Sequence, residues 1–165
     1  MSASQSARGD RASRLLRTAA VLVGLLVTLF TSHARAAGPS LSADWRVESA
    51  TELALTVTVD KGWHLNANDP DRPYLIPTTL EIDPPAGTTI ASIRYPDPVV
   101  QTLAFAPETA LRLYEGTFTI VVRVAGSVPA RFDAKLAYQA CNDETCLPPR
   151  SLPVPFESPG KGGAK

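Results

Sequence analysis

Residues 132–149 read FDAKLAYQACNDETCLPP, and two patterns meet in them. Phe132, Ala134, Leu136 and Tyr138 alternate with Asp133, Lys135, Ala137 and Gln139. That two-residue period belongs to a strand with one buried and one wet face. Cys141 and Cys146, the only cysteines in the chain, follow directly, and Pro148-Pro149 closes the run. The sequence around this stretch repeats its first pattern. Leu53, Leu55, Val57 and Val59 alternate with Ala54, Thr56, Thr58 and Asp60, and residues 116–124 (GTFTIVVRV) are rich in β-branched side chains. Further short strands are expected at 43–48, 62–66, 78–83, 89–95 and 151–156. Breakers separate them at Pro84-Pro85-Ala86-Gly87, Pro96-Asp97-Pro98, Ala125-Gly126-Ser127 and Pro148-Pro149. About eight short strands with frequent turns predict an all-β sandwich or barrel. No window sustains a 3.6-residue apolar period, so little helix is expected. Residues 66–77 (NANDPDRPYLIP) and 100–114 (VQTLAFAPETALRLY) resist strand assignment and read as long loops, which in compact domains often carry function.

The N-terminus has the make-up of a signal peptide over residues 1–36. Arg8, Arg11, Arg14 and Arg17 precede the apolar run Ala19–Phe30, and Ala34-Arg35-Ala36 offers small residues for cleavage. A membrane span needs about 20 apolar residues, so an uncleaved anchor is the weaker reading. A single domain over 37–156 and a disordered tail over 157–165, rich in Gly and Lys, complete the expected organisation. Residues 1–36 hold five arginines and one aspartate, so residues 37–165 carry 11 Lys+Arg against 15 Asp+Glu, a net charge of −4. That balance argues against nucleic-acid or anionic-membrane partners. An exported monomer, most simply periplasmic, is expected, and in that compartment a disulfide persists.

Three uses of the cysteine pair are open on spacing alone. As a staple, a bridge closing a loop of about six residues contributes about 2 kcal/mol, against nearly 5 for a 100-residue loop. A domain of this length buries enough core to fold without it. As an exchange centre, it needs an accessible sulfur and room for a partner. Pro148 and Pro149 would keep the chain beyond Cys146 extended. Asp143 and Glu144 would raise the thiol pKa, which suits a carrier more than an aggressive oxidant. As a ligand pair, two thiolates would suit a soft ion such as Cu(I). The only methionine is Met1, so a Met-rich copper site is excluded. The spacing is not the C-x-x-C of thioredoxin-like proteins.

The string YQACNDETCLPP closely resembles the active-site segment of the N-terminal periplasmic domain of the DsbD family of thiol:disulfide interchange proteins. Gly62-Trp63-His64-Leu65-Asn66-Ala67-Asn68, with Leu75-Ile76-Pro77-Thr78 and Leu80-Glu81 after it, is similar to that family's early segment. Leu113-Tyr114-Glu115-Gly116 is similar to its entry into a later strand. The resemblance implies an immunoglobulin-like sandwich and a redox-active Cys141–Cys146 disulfide. It implies electrons received from a membrane thiol electron transporter and passed to thioredoxin-like periplasmic proteins, among them disulfide isomerases and cytochrome c maturation factors. Such a protein is a protein-disulfide reductase, or a component of thiol–disulfide exchange. The resemblance makes Cys146 the sulfur that partners attack and Cys141 the resolving thiol. It also implies a cap loop over the disulfide, for which 100–114 is the matching region and Phe105 the candidate aromatic. The chain stops at Lys165, so the expected transporter is a separate polypeptide. No cofactor or metal is expected, because sulfur carries the electrons. The competing expectation is an Ig-like binding module whose disulfide is purely structural. Among supporting residues, Tyr138 should pack inward and position the cysteine loop, and Pro148 should stiffen its exit. His64 is a neighbour of the redox site, a weak metal ligand or, as a lone histidine without the partners a metal site needs, an ordinary strand residue, and Trp63 should join the core.

Overall fold

The computed structural model describes residues 38–104 and 106–159. The expected signal peptide, the tail from residue 160 onward and Phe105 lie outside the described residues. No helix occurs among the described residues, and twelve strands do. They are β1 (Leu41–Ser49), β2 (Glu52–Val59), β3 (His64–Asn66), β4 (Thr79–Asp83), β5 (Thr89–Arg94) and β6 (Val99–Thr102). After these come β7 (Ala110–Glu115), β8 (Thr117–Ala125), β9 (Arg131–Tyr138), β10 (Ala140–Cys141), β11 (Arg150–Pro153) and β12 (Phe156–Glu157).

The expected all-β sandwich is present, and all its pairings are antiparallel. One sheet runs β1-β2-β8-β5. A second centres on β9, with β4 along one edge and β11 then β12 along the other. The third runs β10-β3-β7-β6. Alternation in the sequence becomes burial. Leu53, Leu55 and Val57 of β2, Ile120 and Val122 of β8, and Leu136 of β9 are fully enclosed in one core. Trp45 ties β1 to the last strands: its ring meets Phe132 and Phe156 edge-on, and its Nε1–H donates to Val154 O at 2.8 Å. Phe132 and Phe156 stack on one another.

The run 151–156 breaks into β11 and β12, yet both keep one register along β9, and between them Val154 N–H donates to Ala134 O. Pro153 and Pro155 are tolerated because this is an edge. Order also passes Glu157, since Ser158 N–H donates to Ala130 O. Of the loop expected over residues 66–77, Asn66 closes β3 and residues 67–77 form the connection.

The long loop expected over 100–114 is a correction. Val99–Thr102 and Ala110–Glu115 pair as β6 and β7, leaving only 103–109 as connection. The β6 valines are exposed at a sheet edge, so their strand shows no alternation of burial to be read. Gly116, at φ 60°, then turns the chain from β7 in one sheet into β8 in another, a backbone angle that favours glycine.

Candidate functional site

Strand β3 is buried on both sides, and its alternation divides two environments. Leu65 faces the main core, as do its β10 partner Ala140 and its β7 partner Tyr114. His64 and Asn66 therefore point to the other face of the sheet, together with Cys141, which pairs with His64. Leu111 and Leu113 of β7 share that outer face and form a small second core with Leu103, against which Leu75 and Ala106 pack. The described flanks of the 103–109 connection thus lie over the face that carries Cys141.

The two cysteines form a disulfide. Cys141 is 1% exposed, whereas Cys146 is half-buried and followed by exposed Pro148 and Pro149. The hairpin between them is organised by hydrogen bonds. Asn142 N–H donates to Thr145 O at 2.9 Å, and Leu147 N–H donates to Ala140 O at 2.8 Å. Asn142 Oδ1 accepts from the N–H groups of Glu144 and Thr145, at 2.9 and 2.8 Å, a side-chain turn that asparagine favours. Asp143 and Glu144 are exposed at the tip.

A polar relay holds the hairpin's exit. Gln139 Nε2 donates to Leu147 O at 3.2 Å, and Gln139 Oε1 accepts from Asn66 Nδ2 at 3.2 Å. Asn66 Nδ2 also donates to Ile76 O at 3.0 Å, and Thr78 Oγ1 donates to Asn66 O at 2.7 Å. Asn66 and Thr78 are buried, so these bonds offset the cost of removing their polar groups from water. This relay was not among the site residues expected from sequence. The Asn142 turn had a local signature, Asn-Asp-Glu-Thr between two cysteines, but the meeting of Asn66 with Gln139 depends on strand register.

His64 is 3% exposed, and its Nε2 has no hydrogen-bond partner among the described residues. Burial pushes its imidazole below the ordinary value of 6.5, against the opposing pull of the Asp143 and Glu115 carboxylates. It lines an open cleft of about 590 Å³ beside the hairpin, with Asp60, Lys61, Trp63, Glu115 and Asp143 among the walls. His64 is a residue of strand β3 and stands opposite Cys141 of β10 in register. Trp63 is half-buried against the main core, and Tyr138 packs into it at 7% exposure, as its phase with Leu136 requires. Pro148 sits exposed at the hairpin's exit. A slightly larger cleft, about 620 Å³, lies by Asp83, Arg131 and Glu157, at the opposite end of β9 from the cysteines. No cluster of three or more His, Cys, Asp or Glu that could hold a metal ion occurs among the described residues.

Comparison with known proteins places this geometry. The family model described as "Thiol:disulfide interchange protein DsbD, N-terminal" matches residues 36–157. No curated protein matches the sequence. Among solved structures, the reduced N-terminal domain of DsbD from Neisseria meningitidis superposes with a TM-score of 0.52 at 13% identity, covering 72% of this chain and 85% of that one. The same domain in its complex with the PilB N-terminal domain, also from Neisseria meningitidis, gives 0.51 at 13% identity, over 74% and 84% of the two chains. At this identity the likeness is one of fold.

Proposed function

The chain belongs to the DsbD N-terminal domain family of thiol:disulfide interchange proteins, and from that premise we propose that Cys141 and Cys146 are its exchange centre. The observation that carries this reading is the unequal setting of the two sulfurs: Cys141 is enclosed beneath the outer face, and Cys146 stands half-open at the rim. A partner's thiolate attacks Cys146 Sγ, the bond to Cys141 breaks, and its electron pair leaves on Cys141 Sγ. The donor's second thiolate then attacks its own sulfur in the mixed disulfide and releases Cys146. Donor dithiol becomes disulfide, and the Cys141–Cys146 disulfide becomes two thiols. Delivery to an acceptor runs the same steps in reverse.

The hairpin's own hydrogen bonds favour exchange over stapling. Asn142 N–H, Leu147 N–H and the Asn142 side chain close the turn independently of the sulfur bond, so the bridge can open without the hairpin losing its shape. In the full reading, a membrane thiol electron transporter reduces the pair, and thioredoxin-like proteins of the periplasm receive the electrons. The complex of a Neisseria DsbD N-terminal domain with a PilB N-terminal domain supports a protein acceptor. In the same reading Tyr138 and Pro148 hold the hairpin from its two ends.

The test uses a thioredoxin-like domain left with one active-site cysteine and activated with thionitrobenzoate. Cys141→Ala, with only Cys146 available, should form the mixed disulfide readily. Cys146→Ala, with a buried sulfur, should do so at least about tenfold more slowly, as access controls exchange. Equal rates, or no reaction by either variant while both are folded, would refute the assignment.

A further inference from the structure

We propose that His64 is the proton-handling residue of the cysteine pair, serving the Cys141 sulfur each time the bridge opens or closes. The inference rests on the exchange reading above. Backbone register carries it: His64 of β3 stands directly opposite Cys141 of β10, so the two side chains leave the sheet on the same face as nearest cross-strand neighbours. His64 is buried there, and its Nε2 has no hydrogen-bond partner among the described residues. Buried polar nitrogens are almost always paired, so an unpaired one calls for a cause. A disulfide sulfur is a poor partner for an imidazole, whereas a thiol or thiolate on Cys141 is a good one. Opening the bridge would give Nε2 such a partner.

Charged and titratable groups approach His64 from every side of the site. Cys141, Cys146 and Asp143 belong to the hairpin, Glu115 pairs with His64 from β7, and Asp60 and Lys61 lie in the turn before β3. Asp60, Lys61, Glu115 and Asp143 line, with His64, a cleft that opens to solvent and provides the route for protons. In the reductive direction, a donor thiolate attacks Cys146 Sγ and the electron pair of the broken S–S bond goes to Cys141 Sγ. His64 takes a proton from water in the cleft and gives it to that sulfur, which becomes a thiol. In the oxidative direction, neutral His64 removes the Cys141 proton, and the thiolate displaces the partner from Cys146. The burial that keeps the ring neutral in the oxidised protein fits this base role.

Reduction of the full chain by dithiothreitol tests the step, with the rate expressed per dithiothreitol thiolate between pH 5 and 8. Wild type should react faster as the pH falls and His64 gains its proton, by at least about tenfold over the range. His64→Gln should lose that dependence. Histidine NMR gives a second readout that needs no change at His64. In a His33→Gln chain the remaining ring signal is that of His64, and it should titrate at lower pH in the reduced protein, where the Cys141 thiol donates to the neutral ring, than in the oxidised one. A His64→Gln protein with the wild-type profile, or a ring that titrates identically in both states, overturns the proposal. A wild-type protein that dithiothreitol cannot reduce at any pH overturns the exchange reading, and this inference with it.

Discussion

Cys141 and His64 show how little separates a structural from a chemical role at the scale of single residues. Each occupies a routine strand position, and each is buried. What distinguishes them is that they face one another on the side of the sheet turned away from the main core. His64 also leaves a mark on stability. Its folded pKa is depressed, so the unfolded chain binds its proton first as the pH falls. Stability of the oxidised protein is complete above about 6.5 and declines as the pH drops below that value. Urea midpoints measured at pH 7.5 and 5.5 should fall more steeply for wild type than for His64→Gln. Identical slopes would show that burial does not hold the ring neutral. Asn66 makes a complementary prediction. Asn66→Ala removes the donor to both Ile76 O and Gln139 Oε1, and should cost about 1–3 kcal/mol in urea denaturation because those acceptors stay partly buried.

Among elements, the hairpin from β10 through Cys146 decides whether the disulfide staples or works. It spans few residues, and hydrogen bonds already hold it. Reduction should therefore cost about 2 kcal/mol of stability and leave the far-ultraviolet circular dichroism unchanged. A collapse of the sheet signal on reduction would mark the bridge as structural. The same scale shows what could be read from sequence. Strands β2 and β9 announced themselves because each has a core-facing row that writes a two-residue period into the chain, and β8 by its β-branched side chains. Strands β6 and β7 did not. The β6 valines lie at an edge with no core beneath them, and Pro107 between the two strands signals a loop. The cysteines were legible as a pair, and their neighbours were only partly so. The His64–Cys141 and Asn66–Gln139 contacts arise from the register of β3 against β10, which no local pattern encodes.

In the whole molecule, stability and redox chemistry are lodged in different places. The stacked Phe132 and Phe156, with Trp45 across them, belong to the main core, while the cysteines lie beyond it on the outer face of another sheet. Phe156→Ala should cost about 3–5 kcal/mol of unfolding free energy. It should leave the reduction potential of the cysteine pair unchanged, since sites without shared partners behave additively. A potential that moved with the core would couple the two regions. The acidic balance of residues 37–165 fits a domain that meets other proteins. Everything said of the pair converges on the equilibrium between its two states, measured by equilibrating the folded chain with dithiol buffers of known poise and counting free thiols. A working carrier should give a midpoint above about −300 mV, within reach of thioredoxin-like partners; a midpoint below that value would identify a bridge built to stay closed, and would contradict the account.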